Sequence, residues 1–479
     1  MTQLPTKNRF PSLIKHRSLA FLDAFIWCSY LLLLFVASFL NELYSSQSWL
    51  QFSGCIYLLS GLAIVSALNG GCCNWNALVD ARYTVMLLCA MLLLLILQMS
   101  VPLGGHSERL LLSNSTFQGA SPNWFEVPRT WSIVPEKTRW LFNSEVLIFS
   151  SFALSIAVVS SRRRIKQLLI VLLMAGLTHS LVGIFTKYDE LILVDIRQLD
   201  GHFSAARGWF INRNHFAAFI SLCLLGPLSF QFKLLLTQKP ERTASLLVNQ
   251  LMSYRVLYLL CLILGVVALV LSQSRAGFLS FSLSLLLVLG VFVKSKTVKS
   301  LRFRGHCLIL VMIIGIGLIV IYFGAELLLR FSSNSLLGER ASQWELTWLA
   351  IKQAWLIGYG GNSYADVFQI YRGYQDFRQV LFNQSHNDYL HIWLEQGLLG
   401  LGLWISVLFL VLRAAYKNAV SSTSALVSAV MISTVVVILA ALAQAAVDFN
   451  LQILNIRYYF FVIMSLVFSV PTVMQSSER

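Results

Sequence analysis

Residues Arg255–Val293 read RVLYLLCLILGVVALVLSQSRAGFLSFSLSLLLVLGVFV. Two long apolar runs flank the polar corner Ser272-Gln273-Ser274-Arg275. A surface helix of a soluble domain would interleave charged positions at a 3.6-residue period, and a half-buried strand would alternate them. Neither pattern is present. Each run approaches the roughly 20 apolar residues that a helix needs to cross the hydrocarbon of a bilayer. The stretch therefore reads as two membrane helices, 255–273 and 277–293, joined by a tight corner that carries one arginine.

The same reading extends along the chain. Spans are expected at 19–40, 49–68, 83–99, 143–160, 167–186, 214–236, 255–273, 277–293, 307–325, 390–412, 423–447 and 458–472. The composition agrees: 57% of residues are hydrophobic and 12% charged, against roughly 25% charged in soluble domains. A disordered chain, a coiled coil and a soluble enzyme built on one core are excluded. The expected fold class is all-α: a single polytopic membrane bundle over 1–479 with about twelve transmembrane helices, whose outer loops contain short helices.

Charge sets the expected orientation. With the N-terminus in the cytoplasm, inside segments hold Lys7, Arg9, Lys15, Arg17, Arg82, Arg162-Arg163-Arg164, Lys166 and the basic stretches at 233–255 and 294–304. Opposing them on that side are only Asp80, Glu241 and Glu478. The outside segments are nearly balanced. The excess of +15 is thus topological, and nucleic acid is not an expected partner. Both termini fall inside. The first run starts at residue 19, holds Asp23 and is followed by no small-residue cleavage site, so it reads as an uncleaved helix. Asp23 and Glu395 are read as acidic residues within spans. Cys72-Cys73 has neither a CxxC partner nor a nearby His, and no metal site is expected.

Polar sequence concentrates in the outer loops 100–142, 187–213 and 326–389. Loop 100–142 is rich in Pro and Trp and reads as a segment lying on the membrane surface, with no chemistry assigned. Within 326–389, Trp344, Trp348, Ile351 and Trp355 recur at helical spacing, as an interfacial helix would show.

Four outer features hold candidate functional residues. Arg207-Gly208-Trp209-Phe210-Ile211-Asn212-Arg213-Asn214-His215 leads into the sixth span. Ser274-Arg275-Ala276-Gly277 is the corner quoted above. Gly338-Glu339-Arg340 opens the amphipathic helix. Ser385-His386-Asn387-Asp388-Tyr389 leads into the tenth span. Each has an ordinary structural alternative, because arginines at helix ends snorkel to headgroups and Asn before a helix caps it. Asn387, His391 and Glu395 share one helix face, and Glu395 is read either as a functional group or as a buried partner of His391. In combination the features fit a transfer reaction. Arginine forks suit phosphate oxygens. An imidazole, which ordinarily titrates near roughly 6.5, suits proton abstraction from a hydroxyl. Arginines would then carry the charge of a diphosphate leaving group without a metal or other cofactor.

These motifs resemble the bacterial O-antigen ligase/polymerase family of membrane glycosyltransferases. The resemblance covers 200–460. It runs through R-G-x-x-x-N-x-N-x-x-A from Arg207, S-R-A-G from Ser274, G-E-R-x-x-x-W from Gly338, G-Y-G-G-N-S-Y from Gly358, H-N-D-Y-L-x-x-x-x-E-x-G from His386 and V-D-F-N-L-Q from Val447. It implies a GT-C-type enzyme in the bacterial inner membrane that works on the periplasmic face. The implied donor is an undecaprenyl-diphosphate-linked glycan, and the implied acceptor is lipid A-core or another glycan. His386 matches the family's essential histidine, Arg207 and Arg275 its diphosphate-binding arginines. Arg213, Arg340, Asn387 and Glu395 are auxiliary candidates. A protein O-oligosaccharyltransferase, a peptidoglycan polymerase and, from another class, a secondary transporter are the competing expectations. A transporter would place its ionisable groups at the midplane, whereas here the polar mass lies in outer loops.

Overall fold

The computed structural model describes residues 10–40, 46–101, 130–188, 205–237, 254–294, scattered positions between 317 and 327, 335–372 and 383–476. The helices are α1 (Phe10–Ala37), α2 (Ser46–Leu68), α3 (Trp75–Asp80), α4 (Arg82–Ser100), α5 (Pro135–Val158) and α6 (Arg162–Tyr188). They continue with α7 (Arg213–Cys223), α8 (Leu225–Thr237), α9 (Tyr254–Leu271) and α10 (Arg275–Lys294). The last group is α11 (Ser335–Gln353), α12 (Tyr364–Arg372), α13 (Asp388–Ser421), α14 (Ala425–Ala445) and α15 (Leu454–Ser476). Among the described residues nine helices are long and apolar enough to cross a membrane, and two shorter apolar helices form the hairpin quoted at the outset. The protein is an all-α polytopic membrane protein. Eleven expected spans fall on helices; the other, 307–325, lies almost wholly outside the described residues.

Bilayer and core are distinguished by composition. On α1, α2, α4, α10 and α13 large apolar side chains such as Phe21, Leu58, Met86, Leu283 and Phe409 are exposed, as lipid-facing residues should be. Helix α15 is different, being buried from Leu454 to Met474. Its sequence LNIRYYFFVIMSLVFSVPTVM carries large apolar residues all round, with Arg457 the one charge, which fits a helix enclosed by others. It packs on α5, α14 and α13 and forms the central post of the bundle.

Two spans are interrupted, each for a local reason. The sixth divides into α7 and α8. Pro227 has no N–H for the Cys223 carbonyl, and its ring crowds that carbonyl, so the helix breaks there. In α13 the break is at Gly397, whose φ of 66° and ψ of −173° are not helical. A break at membrane depth frees backbone groups that must be satisfied from elsewhere. The segment 355–360 enters the gap and does so on both sides. Tyr359 and Gly360 donate to the Leu394 and Glu395 carbonyls at 3.0 and 2.9 Å, and Leu398 donates to the Trp355 carbonyl at 2.8 Å. The Gln98 amide donates to both Glu395 and Ile357 carbonyls at 3.0 Å. A Cβ on Gly397 would lie 2.3 Å from the Leu356 carbonyl oxygen, and one on Gly358 2.4 Å from the Glu395 carbonyl oxygen. The G-Y-G-G and E-x-G motifs thus meet as one close backbone contact.

Helix α11 was expected from its tryptophan stripe, and it forms. Its buried face is offset, however, running through Gln343, Thr347, Ala350, Ile351 and Ala354. Those residues pack on α12 and the start of α13 in a small second core with Tyr359, Tyr364, Val367, Phe368 and Leu394. Trp348 and Trp355 remain exposed. Small residues permit the close approach to α12 and α13, and the bulky tryptophans are left on the flank.

Asp23, expected within the first span, is a structural group. It accepts from the Ser66 hydroxyl and from the Cys72 N–H at 2.9 Å, tying α1 to the turn after α2. An ion pair not foreseen from sequence joins Arg457 of α15 to Glu145 of α5 at 2.6 Å, both fully enclosed. These residues lie at the edges of the expected spans 458–472 and 143–160, and the helices extend beyond those bounds.

Candidate active site

The site is built around the start of α13. Asn387 is its N-cap: Oδ1 accepts from the N–H groups of Tyr389 and Leu390 at 3.0 and 3.1 Å, filling two of the orphan donors of the first turn. Its Nδ2 donates to the Ala446 carbonyl at 2.9 Å. The buried Asp388 accepts from the Leu451 N–H at 2.9 Å and from Gln452 Nε2 at 3.0 Å. Two successive residues therefore strap the V-D-F-N-L-Q segment, between α14 and α15, to the beginning of α13.

His386 precedes this cap with φ of 51°, a left-handed conformation uncommon outside glycine, which costs of order 1 kcal/mol. The neighbours impose it. Trp344 Nε1 donates to the Ser385 carbonyl at 3.0 Å, and Ser385 Oγ accepts from the Asn387 N–H at 3.2 Å. The result aims the imidazole at the 447–452 segment. The ring stands edge-on to Phe449, with centroids 4.9 Å apart. Nδ1 lies 3.4 Å from Asp448 Oδ1, and the side chain keeps 29% of its surface exposed.

Asp448 is the centre of the cluster and is fully buried. Asn214 Nδ2 donates to its Oδ2 at 2.5 Å. Arg340 Nη2 approaches the same oxygen at 3.8 Å, while Nη1 donates to the Val447 carbonyl at 2.6 Å. His215 flanks the other partner, Phe449, at 4.6 Å. Burial alone would raise the Asp448 carboxyl. The adjoining His386 ring, the nearby His215 imidazole and the Arg340 guanidinium outweigh burial and hold it below the usual carboxylate range.

The arginine motifs arrive at the same end of the bundle. Gln444 Nε2 donates to the Asn214 carbonyl at 2.8 Å, fixing the start of α7 to α14. Arg213 is the first residue of α7, half-buried behind the Asn212 cap. Arg207 lies in the preceding turn and donates to the Ile211 carbonyl at 3.1 Å. The Ala206 N–H donates to the Leu271 carbonyl at 2.9 Å, joining this turn to the corner that carries Arg275. Arg275 opens α10 and is half-buried. A Cβ on Gly277 would lie 2.6 Å from Ala217 Cβ, so α10 and α7 meet backbone to backbone there.

Of the residues singled out in the sequence, His386, Asn387 and Arg340 make direct contacts with the 446–448 segment. Arg207, Arg213 and Arg275 lie on elements linked to it. Glu395 has other partners: it accepts from the Tyr364 N–H at 3.0 Å and pairs with His391 at 3.1 Å. This is the buried-pair alternative, and it seats α12 against α13. Asp448 and His215 were quoted within motifs but given no role, and Asn214 was read only as part of a helix cap; for Asp448 the signal was an acidic residue between two spans and inside a motif. Among the described residues no three His, Cys, Asp or Glu side chains group as a metal site would require.

One end of the polytopic bundle therefore gathers an imidazole–carboxylate pair and the arginine-bearing segments. Residues 260–405 match the family model of the O-antigen ligase. The match bears out the resemblance drawn from the motifs and supports an enzymatic role in membrane glycan ligation or polymerisation. It spans Arg275, Arg340, His386, Asn387 and Glu395. No curated protein is significantly similar to the chain.

Proposed function

We propose that the protein transfers a glycan from undecaprenyl diphosphate to an acceptor hydroxyl, on lipid A-core or on another glycan, at the periplasmic face of the bacterial inner membrane. The observation that carries this reading is the convergence of the His386–Asp448 pair with the Arg207 and Arg275 segments at one end of the bundle. The acceptor O–H gives its proton to the imidazole while its oxygen bonds to the anomeric carbon. The bond from that carbon to the diphosphate oxygen breaks, and undecaprenyl diphosphate leaves with the electron pair. Arg207 and Arg275 neutralise the departing oxyanions through bidentate forks. Asp448 keeps the ring oriented and stabilises its protonated form, and Arg340 and Asn214 in turn fix Asp448. Arg213 supplies further positive potential, and Asn387 holds the loop. Glu395 supports the scaffold from within α13.

The test is transfer by purified protein reconstituted with an undecaprenyl-diphosphate glycan and lipid A-core. Wild type should form the linked product and His386→Gln should not, while still binding the donor. Normal specific activity in His386→Gln would overturn the proposal.

A further inference from the structure

Two positions before His386, the chain lines a polar cleft that the transfer reaction leaves unused. It encloses about 580 Å³ and is lined by Glu136, Lys137, Trp140, Asn362, Asn383 and Gln384, among others. Its volume is within the usual range of ligand sites. Its walls are fixed. Thr138 Oγ1 donates to the Gly361 carbonyl at 2.9 Å, and the Ile133 N–H donates to the Tyr359 carbonyl at 3.0 Å. Asn362 is held at φ of 57° between these contacts. Gln384 Oε1 is buried with no hydrogen-bond partner among the described residues, and a buried acceptor left so costs roughly 1–3 kcal/mol. A ligand donor would satisfy it.

We propose that this cleft is a glycan subsite that seats a neutral sugar ring next to the transfer centre. The inference rests on the transfer reading and specifies where the sugar lies. Trp140, 43% exposed, offers an aromatic plane to the C–H face of a pyranose. The three side-chain amides each present a donor and an acceptor, the pairing that vicinal hydroxyls require. Lys137 would attract an acidic sugar, but Asp366 neutralises it through contacts of 2.6 and 2.8 Å. Glu136 leaves the rim negative, so uronates and phosphorylated sugars are disfavoured. Position supports the assignment as well. One residue, Ser385, separates Gln384 from His386, a chain distance of at most about 7 Å. Trp140 also walls a mainly apolar cleft of about 310 Å³ with Trp49, Leu50, Leu147 and Leu454. A sugar carried on a lipid can therefore occupy the polar cleft while its chain stays among apolar side chains.

Saturation-transfer NMR on the full-length protein in nanodiscs tests this, with methyl glycosides of neutral hexoses and N-acetylhexosamines and of glucuronic acid as probes. Wild type should bind the neutral glycosides and bind the glucuronide at least about tenfold more weakly. Gln384→Ala and Trp140→Ala should each weaken neutral binding by roughly tenfold, and His386→Gln should leave it unchanged. No binding to wild type, unchanged binding in both variants, or equal binding of the glucuronide would overturn the subsite. Because His386→Gln is read by binding here and by turnover in the transfer assay, either proposal can fail while the other stands.

Discussion

Two buried carboxylates of this protein each meet a cationic group, and they differ in how far that partner reaches the surface. Glu145 and Arg457 lie between α5 and α15 with side chains 1% and 4% exposed. Asp448 is equally buried, but its partners His386 and Arg340 keep 29% and 23% of their side-chain surface in the open. A sealed pair cannot exchange protons with anything outside and acts as a fastener between helices. An open base on a sealed acid can take a proton from an incoming hydroxyl while the acid holds its orientation. The backbone agrees with this division. Glu145 and Arg457 sit in regular helix, whereas His386 is held in a left-handed conformation by its neighbours. Strain tolerated at this residue fits the catalytic role proposed for His386.

The comparison predicts opposite signatures. His386→Gln should reduce transfer by roughly 10²–10⁴-fold, the usual contribution of a positioned general base, with the unfolding midpoint in detergent unchanged. Arg457→Met should do the reverse. Leaving Glu145 unpaired in the bundle should cost about 3–5 kcal/mol of stability, while transfer per folded molecule stays near wild type. Glu145→Leu combined with Arg457→Met should recover most of that loss, since neither charge then remains. Chemical denaturation of the purified variants, scored beside specific activity, checks both. A large loss of specific activity in folded Arg457→Met would break the distinction.

Legibility in the sequence followed physical range. The spans were readable because each is a local statement about some twenty consecutive residues. His386, Arg207 and Arg275 were singled out because motifs mark them, and the structure brings their segments to one end of the bundle. The Gly397 break was not foreseen, since it is stable only because 355–360 fills it, a contact between distant segments. Glu145–Arg457 was hidden for a related reason: each residue lies at the edge of an apolar run, and burial is decided when two helices pack. Asp448 was visible inside V-D-F-N-L-Q, but nothing local tells which loop it meets.

Asp448→Asn sharpens the comparison within the open cluster. The amide keeps the shape and can still hold Asn214 and Arg340 loosely, but it cannot stabilise a protonated imidazole. Transfer should fall on the order of 10²-fold, less than in the most severe His386 loss. Donor binding should be retained, because Arg207 and Arg275 do not depend on this charge. An Asp448→Asn enzyme with wild-type turnover would reduce Asp448 to a packing residue like Glu145.

The smallest effect expected concerns pH, and its sign follows from the carboxylate. Asp448 is held below the usual carboxylate range in the folded protein, so its ionised form is favoured by folding. A group of that kind contributes stability that is present above the unfolded value of about 3.9 and lost as pH falls through the lower folded value. Between pH 8 and 5 the contribution is therefore constant. The difference in unfolding midpoint between wild type and Asp448→Asn should stay flat over that interval and shrink only below about pH 4. Any change of transfer rate between pH 5 and 8 must then come from a group other than Asp448. A midpoint difference that already narrowed between pH 7 and 5 would mean that Asp448 takes up a proton there, and the open pair would have to be rewritten with the acid and base exchanged.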